Sequence, residues 1–255
     1  MSSVPSATQW GLPTASKRAL LIHGLTCSSQ TWERVAQALV EAGYFVVAPN
    51  LLSHGFRRGT DYSVGNMAKD IQPYFANTHY DIIIGHSLGG AILAKLLPFL
   101  AQRRLISVIL VDPALEPSPD EADMARRNFS DEVANVRPVE AYLADNPSWT
   151  RVDAITRVIG LHMHKSVEAI VQIFAQNNPW SFGKLLSEVP PNVTIMVLVA
   201  DPQLHPVCSL KHVPPHPRIR TAVVPNASHW IHYENPETVV NAALELVAMS
   251  GTTDA

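Results

Sequence analysis

Short apolar runs bounded by turn residues, with helical patterns between them, set the organisation of the chain. Ala19-Leu20-Leu21-Ile22, Tyr44 to Ala48 and Tyr80 to Ile84 each read as a strand buried on both faces, as in a parallel sheet. Between the first two lies a helical pattern from Ser29 to Ala42. Its apolar positions Trp32, Val35, Ala36, Leu39 and Val40 share one face, and Gly43 ends it as a C-cap. Further strands are expected at Ile106 to Val111, Thr194 to Val199 and Arg220 to Val224. A last helix, Pro236 to Ala248, starts on a proline whose missing N–H costs nothing in a first turn. Strands alternating with helices predict an α/β fold, a doubly wound and mostly parallel sheet. The alternation stops after Ala114, where Ser148 to Leu161 and Ser166 to Gln176 are helical patterns without a convincing strand. The expected division is therefore a core of residues 1–113 and 191–255, with residues 114–190 inserted as a helical cap over the carboxyl edge of the sheet.

Composition narrows the picture. The 255 residues are 47% hydrophobic and 16% charged, so the chain is globular. A net charge of −3 gives no electrostatic case for nucleic acid or an anionic membrane. The two cysteines, Cys27 and Cys208, make no disulfide framework and suit a reducing compartment. No run reaches the length of a membrane span and the first residues carry no signal-type apolar stretch, so the expected location is cytoplasmic. No metal-ligand pattern or cofactor handle is visible; His162 and His164, two apart, point to different faces of a helix.

The chemistry concentrates at Gly85-His86-Ser87-Leu88-Gly89, directly after a strand pattern and opening the helical run Gly90 to Leu97. This is the strand, sharp turn, helix context of a nucleophile elbow. Such a turn lifts the Ser87 hydroxyl above the strand end, at a helix N-terminus where backbone N–H groups meet a developing oxyanion. A serine needs a base oriented by a third group. His229, in the polar turn between Val224 and the final helix, fits the base; His232 is the local competitor, read as a structural hydrogen-bonding residue. Asp201, ending the strand Thr194 to Val199, is the expected acid. Asp112, ending Ile106 to Val111, is the alternative, and spacing alone does not separate the two. The oxyanion donors are expected to be the N–H groups of Leu88 and of Leu25, with Gly24 allowing close backbone approach and His23 bracing the loop.

These landmarks, His23-Gly24, Ala48 to Gly55, Gly85 to Gly90, and His229 with Glu234-Asn235-Pro236, resemble the α/β-hydrolase superfamily in order. The early part, Ser29 to Leu51, resembles its small plant-esterase and hydroxynitrile-lyase branch as well as bacterial and fungal esterases. The resemblance implies the α/β-hydrolase fold, a Ser87, Asp201, His229 triad, and ligand entry beneath a variable cap. Departures are informative. Only about eighteen residues precede Ala19, so one or two edge strands are expected to be missing. Asn50 stands where aspartate is common, a neutral exchange. The acid loop Ala200 to His205 lacks the usual Gly-x-x-Asp form, which keeps Asp112 in play. Trp230 replaces the lysine that follows the histidine in hydroxynitrile lyases, and Ser87 replaces the aspartate nucleophile of epoxide hydrolases and dehalogenases.

For the substrate pocket, the sequence suggests Gly24, Trp180, Trp230, His164 and Phe182, with Phe174, Trp149 and Met163 as further apolar cap residues. The resulting expectation is a cofactor-free serine hydrolase acting through an acyl-enzyme on a small-molecule ester or lactone with apolar groups. A carbon–carbon bond hydrolase or a cofactor-free oxygenase could use the same residues, and a ligand receptor could occupy the same scaffold.

Overall fold

The computed structural model describes residues 7–101, 103–164 and 166–251. Seven strands form one sheet in the order β1-β3-β2-β4-β5-β6-β7. They are β1 (Ala7–Trp10), β2 (Lys17–Ile22), β3 (Tyr44–Pro49), β4 (Ile82–His86), β5 (Ile106–Val111), β6 (Val193–Val199) and β7 (Ile219–Val223). Only β1 runs antiparallel, pairing Ala7 with Pro49 and Trp10 with Val46 on β3; the other pairings are parallel. The segment before Lys17 thus supplies one edge strand despite its short length.

Strand periodicity explains why these runs are apolar at every position. Leu20 and Ile22 face one layer, with Ile83, Val108 and Leu110; Ala19 and Leu21 face the other, with Val46, Ile84 and Ile109. Helices α2 (Val64–Ile71) and α3 (Leu88–Leu100) cover the first face through Met67, Ile71, Ile92 and Leu96. Helices α1 (Glu33–Glu41) and α9 (Pro236–Gly251) cover the second through Val35, Leu39, Val239 and Ala243. Each fully buried aliphatic side chain of this kind contributes about 1.5–3 kcal/mol. Gly43 ends α1 with φ +87°, the left-handed conformation a C-cap requires.

Between β5 and β6 lie α4 (Pro119–Ala134), α5 (Val139–Asp145), α6 (Arg151–His164) and α7 (Val167–Gln176). Helix α4 starts in a capping box: Ser118 Oγ accepts from Glu121 N–H, and the Glu121 carboxylate accepts from Ser118 N–H. In this helical segment Val133, Tyr142, Trp149, Ala154, Leu161 and Ile170 form a small cluster that packs with Tyr233. Tyr233 belongs to α8 (Ile231–Glu234), the single turn after His229. No helix among the described residues is long and apolar enough to cross a membrane.

Candidate active site

Ser87 sits between β4 and α3 with φ +52° and ψ −116°, a strained conformation for a residue with a Cβ. Its neighbours over-determine it. Ser87 N–H donates to Val111 O, and Ser87 O accepts from Gly90, Ala91 and Ala114 N–H. The glycines around it have no room for a side chain. A Cβ on Gly89 would lie 2.2 Å from Ile22 O, and one on Gly85 2.6 Å from Gly89 O.

Across the next strand, Asp112 ends β5 with φ +39° and is fully buried. Its Oδ2 lies 2.6 Å from Nδ1 of His229 and accepts from Val207 N–H at 2.9 Å; Oδ1 accepts from Cys208 N–H at 3.2 Å and Ala200 N–H at 3.3 Å. A carboxylate so held fixes the histidine with its proton on Nδ1 and leaves Nε2 free to accept one. The expectation for Asp201 is therefore corrected. The carboxylate on His229 is that of Asp112, and Asp201 caps the 3-10 turn Pro202–Leu204. There Asp201 accepts from Gln203 N–H and Asn226 N–H. Those two bonds hold its carboxyl below the usual carboxylate range, Asn226 first. The reason is topological. β5 adjoins β4, so Asp112 stands one strand from Ser87, while β6 is one strand further out and Asp201 follows Ala200 into an outward turn.

His86, His232 and His23 are buried supports around this pair. His86 Nε2–H donates to His229 O at 3.0 Å, and its Nδ1 meets no partner. Burial first, then the neighbouring His232 and His229, hold His86 well below the ordinary imidazole range. His232 bonds Thr31 Oγ1 through Nε2 at 3.1 Å and is fully buried, so the competitor for the base lies away from the cavity. His23 accepts from Leu51 N–H through Nε2 and donates from Nδ1 to Gly24 O, bracing the loop as expected.

Ser87, His229, Leu25 and Leu88 all line one cavity of about 420 Å³. Leu88 is the first residue of α3, where an N–H has no intrahelical acceptor. In the facing loop, Thr26 N–H donates to His54 Nε2 and Cys27 N–H to Gly24 O, so neither is directed at the cavity. The rest of the lining is largely apolar: Ala114, Ala122, Met124, Ala125, Phe129, Phe174, Trp180 and Val207, with Glu121 and His205 as the ionisable additions.

Of the residues suggested for the pocket, Trp180 and Phe174 line it. The others do not. Trp230 stacks on Tyr233 at 5.4 Å and lies under the Arg157 guanidinium. His164 is fully buried against His54, with ring centroids 4.6 Å apart. Phe182 packs edge-on against Trp180, and Gly24 lies behind the lining, where a Cβ would sit 2.8 Å from His86 Nδ1. Trp149 packs with Trp230 and Tyr233. The contribution of α4 was missed. Ala122, Ala125 and Phe129 follow the i, i+3, i+7 spacing of one helical face, a signal present in the sequence but obscured by the charged residues around it.

The same architecture recurs in known proteins. Lipase LipV of Mycobacterium tuberculosis is 29% identical over 106 residues; the match spans 40% of this chain and 40% of that lipase. Among solved structures, an esterase from Thermogutta terrifontis superposes with a TM-score of 0.70 at 20% identity, covering 96% of this chain and 93% of its own. The N-formylmaleamic acid deformylase of Pseudomonas putida gives 0.71 at 21%, covering 92% and 94%. An N-acyl homoserine lactone degrading enzyme gives 0.68 at 16%, covering 94% and 95%. Likeness at such identities shows the fold alone. The sequence model that matches residues 19–243, spanning Ser87, Asp112 and His229, is that of the alpha/beta hydrolase family, and to that family this chain belongs.

Proposed function

We propose that this chain is a serine hydrolase that cleaves a carboxylic ester or lactone of a small, largely apolar molecule through an acyl-enzyme. The observation that carries the reading is the 2.6 Å contact between His229 Nδ1 and the fully buried Asp112 carboxylate, beside the strained Ser87 that lines the same cavity. Esterase and lipase relatives agree with it.

In this account His229 Nε2 takes the Ser87 proton as Oγ attacks the carbonyl carbon. The carbonyl π electrons move to oxygen, and the N–H groups of Leu25 and Leu88 hold that oxyanion. Asp112 stays ionised and stabilises the imidazolium. As the tetrahedral adduct collapses, the C–O bond to the alcohol breaks and the alkoxide leaves with the proton from His229. Water then repeats the sequence on the acyl-enzyme: His229 takes its proton, hydroxide adds to the acyl carbon, and Ser87 departs with the proton returned. The insertion supplies Phe129, Phe174 and Trp180 as apolar walls, which act as a cap over the reacting carbon. Among the described residues no lysine or arginine lines this cavity, which favours neutral substrates over carboxylates and phosphates.

The test is turnover of short-chain nitrophenyl esters and a simple lactone by the wild type, Ser87→Ala and His229→Ala. Both variants are expected to lose about 10⁶-fold in kcat, the oxyanion donors keeping a small residual rate. Turnover retained by Ser87→Ala would overturn the reading, and turnover of only one substrate type by the wild type would assign ester against lactone.

A further inference from the structure

Arg157, on α6 of the insertion, is 1% exposed, an unusual place for a charge. Its guanidinium is fully engaged. Nε and Nη2 donate in a fork to the two oxygens of Glu132 on α4. Nη1 donates to Thr26 Oγ1 at 2.9 Å and to Thr26 O at 3.2 Å, and the plane lies over the Trp230 ring. Thr26 in turn donates its hydroxyl to Leu25 O at 2.7 Å. A continuous chain therefore runs from the insertion, through Arg157 and the Thr26 hydroxyl, to the Leu25 carbonyl, in the peptide next to the one that carries the Leu25 N–H.

Thr26 itself has φ +59°. A β-branched residue in the left-handed region carries strain of about 1–3 kcal/mol and persists only when its surroundings hold it there. Three contacts do so: Arg157 on its carbonyl and hydroxyl, His54 Nε2 on its N–H, and Gly160 of α6. A Cβ on Gly160 would lie 2.8 Å from Thr26 O, so the helix backbone rests directly on the loop. A buried charge is expensive to keep unless its hydrogen bonds are satisfied, and guanidinium alone combines the fork, the second pair of donors and the flat stacking face.

We infer that Arg157 is a positioning residue for the oxyanion donor: through the Thr26 hydroxyl and carbonyl it holds the Leu25–Thr26 peptide, and with it the loop that presents the adjoining Leu25 N–H, making transition-state stabilisation depend on the docked insertion. The inference rests on the proposed serine chemistry and adds a residue remote from the reacting atoms. A donor held in direction acts on the oxyanion far more than on the planar ground-state ester.

The experiment compares Arg157→Met, Arg157→Lys, Thr26→Val and Thr26→Ser with the wild type on one nitrophenyl ester, alongside Ser87→Ala. Displacing a reacting group by about 1 Å can cost about 10²-fold, and that loss in kcat is expected for Arg157→Met. Arg157→Lys, which lacks the fork, recovers little of it. Thr26→Val keeps the branched shape and removes only the hydroxyl; it is expected to lose about ten-fold or more in kcat with KM little changed. Thr26→Ser keeps the relay and most of the activity. The affinity of a trifluoromethyl ketone, whose adduct carries the oxyanion, should fall in step with kcat/KM. The acid limb of the pH profile should stay in place, because His229 and Asp112 are untouched. A folded Thr26→Val that loses less than this, or an acid limb that shifts, would overturn the inference, whether or not the Arg157 variants fold. Activity retained by Ser87→Ala would instead remove the hydrolase reading beneath it.

Discussion

Replacing Asp112 by asparagine removes one charge from a site whose hydrogen bonds can be counted. Asparagine tolerates the positive φ found there, so the backbone has no reason to move. The carboxylate oxygens each accept two N–H groups: Oδ2 from His229 and Val207, Oδ1 from Ala200 and Cys208. The amide has one oxygen for these two places. If it replaces Oδ2, the N–H groups of Ala200 and Cys208 both face an NH2 group, at about 1–3 kcal/mol each. If it replaces Oδ1, only Val207 N–H is orphaned, because His229 can change tautomer and accept at Nδ1. The second arrangement is favoured by about the value of one orphaned donor. It puts the imidazole proton on Nε2, where the base can no longer accept from Ser87. The expected outcome is a loss of about 10⁴-fold in kcat with about 1–3 kcal/mol of stability. Asp201→Asn, which alters a surface cap, should cost about 1 kcal/mol or less and leave kcat within a few-fold. Steady-state kinetics on a nitrophenyl ester with urea unfolding of both variants measures all four quantities. The reasoning is refuted if Asp201→Asn carries the large rate loss while Asp112→Asn stays within ten-fold of wild type.

The remaining expectations concern the pocket and acid stability. Trp180 lines both the 420 Å³ cavity and an adjoining one of about 570 Å³ that shares Pro117, Ala122 and Phe174 with it. Trp180→Ala should join the two and shift kcat/KM toward longer acyl esters, each newly buried methylene adding about 0.8 kcal/mol, or about four-fold; an unchanged chain-length profile would show that Trp180 is not the boundary. Burial holds His23 and His164 down to about 4 from an ordinary 6.5. The unfolded chain then binds more protons between those values, so stability is complete above pH 6.5 and declines as pH falls to about 4, by about 1.4 kcal/mol per pH unit for each histidine. Urea unfolding at pH 7 and pH 5 should differ by about 4 kcal/mol from this pair, and equal midpoints would contradict it.

The strands and the elbow were legible because their signals are local. Leu20 to Ile22 must be apolar on both sides to sit inside a parallel sheet, and Gly85, Gly89 and Gly90 must be glycine where a Cβ meets backbone or Pro113 within about 2.6 Å. Which carboxylate meets His229 was not legible from the spacing, since two strands ended in Asp-Pro and the outcome depends on which strand lies beside β4. Because the same dipeptide stands at both places, it did not separate them. Only the structure shows that Asp201 is occupied as the N-cap of its own turn, with proline at the first helical position. The misplaced pocket residues failed for another reason. Trp230 and His164 are aromatic and stand beside or within the segments expected to meet ligand, but the buried Arg157 and His54 claim their faces, and no sequence pattern announces such partners. The strand β1 escaped notice because four residues with mixed polarity carry almost no periodicity.

The proposed chemistry requires an activated serine at position 87. Its most direct test is peptide mapping by mass spectrometry after treatment of the folded protein with a fluorophosphonate, in the wild type and in His229→Ala. The prediction is a single stoichiometric adduct on the Ser87 peptide that forms far more slowly once His229 is removed. An adduct on another residue, or labelling of Ser87 at the same rate without His229, would contradict it.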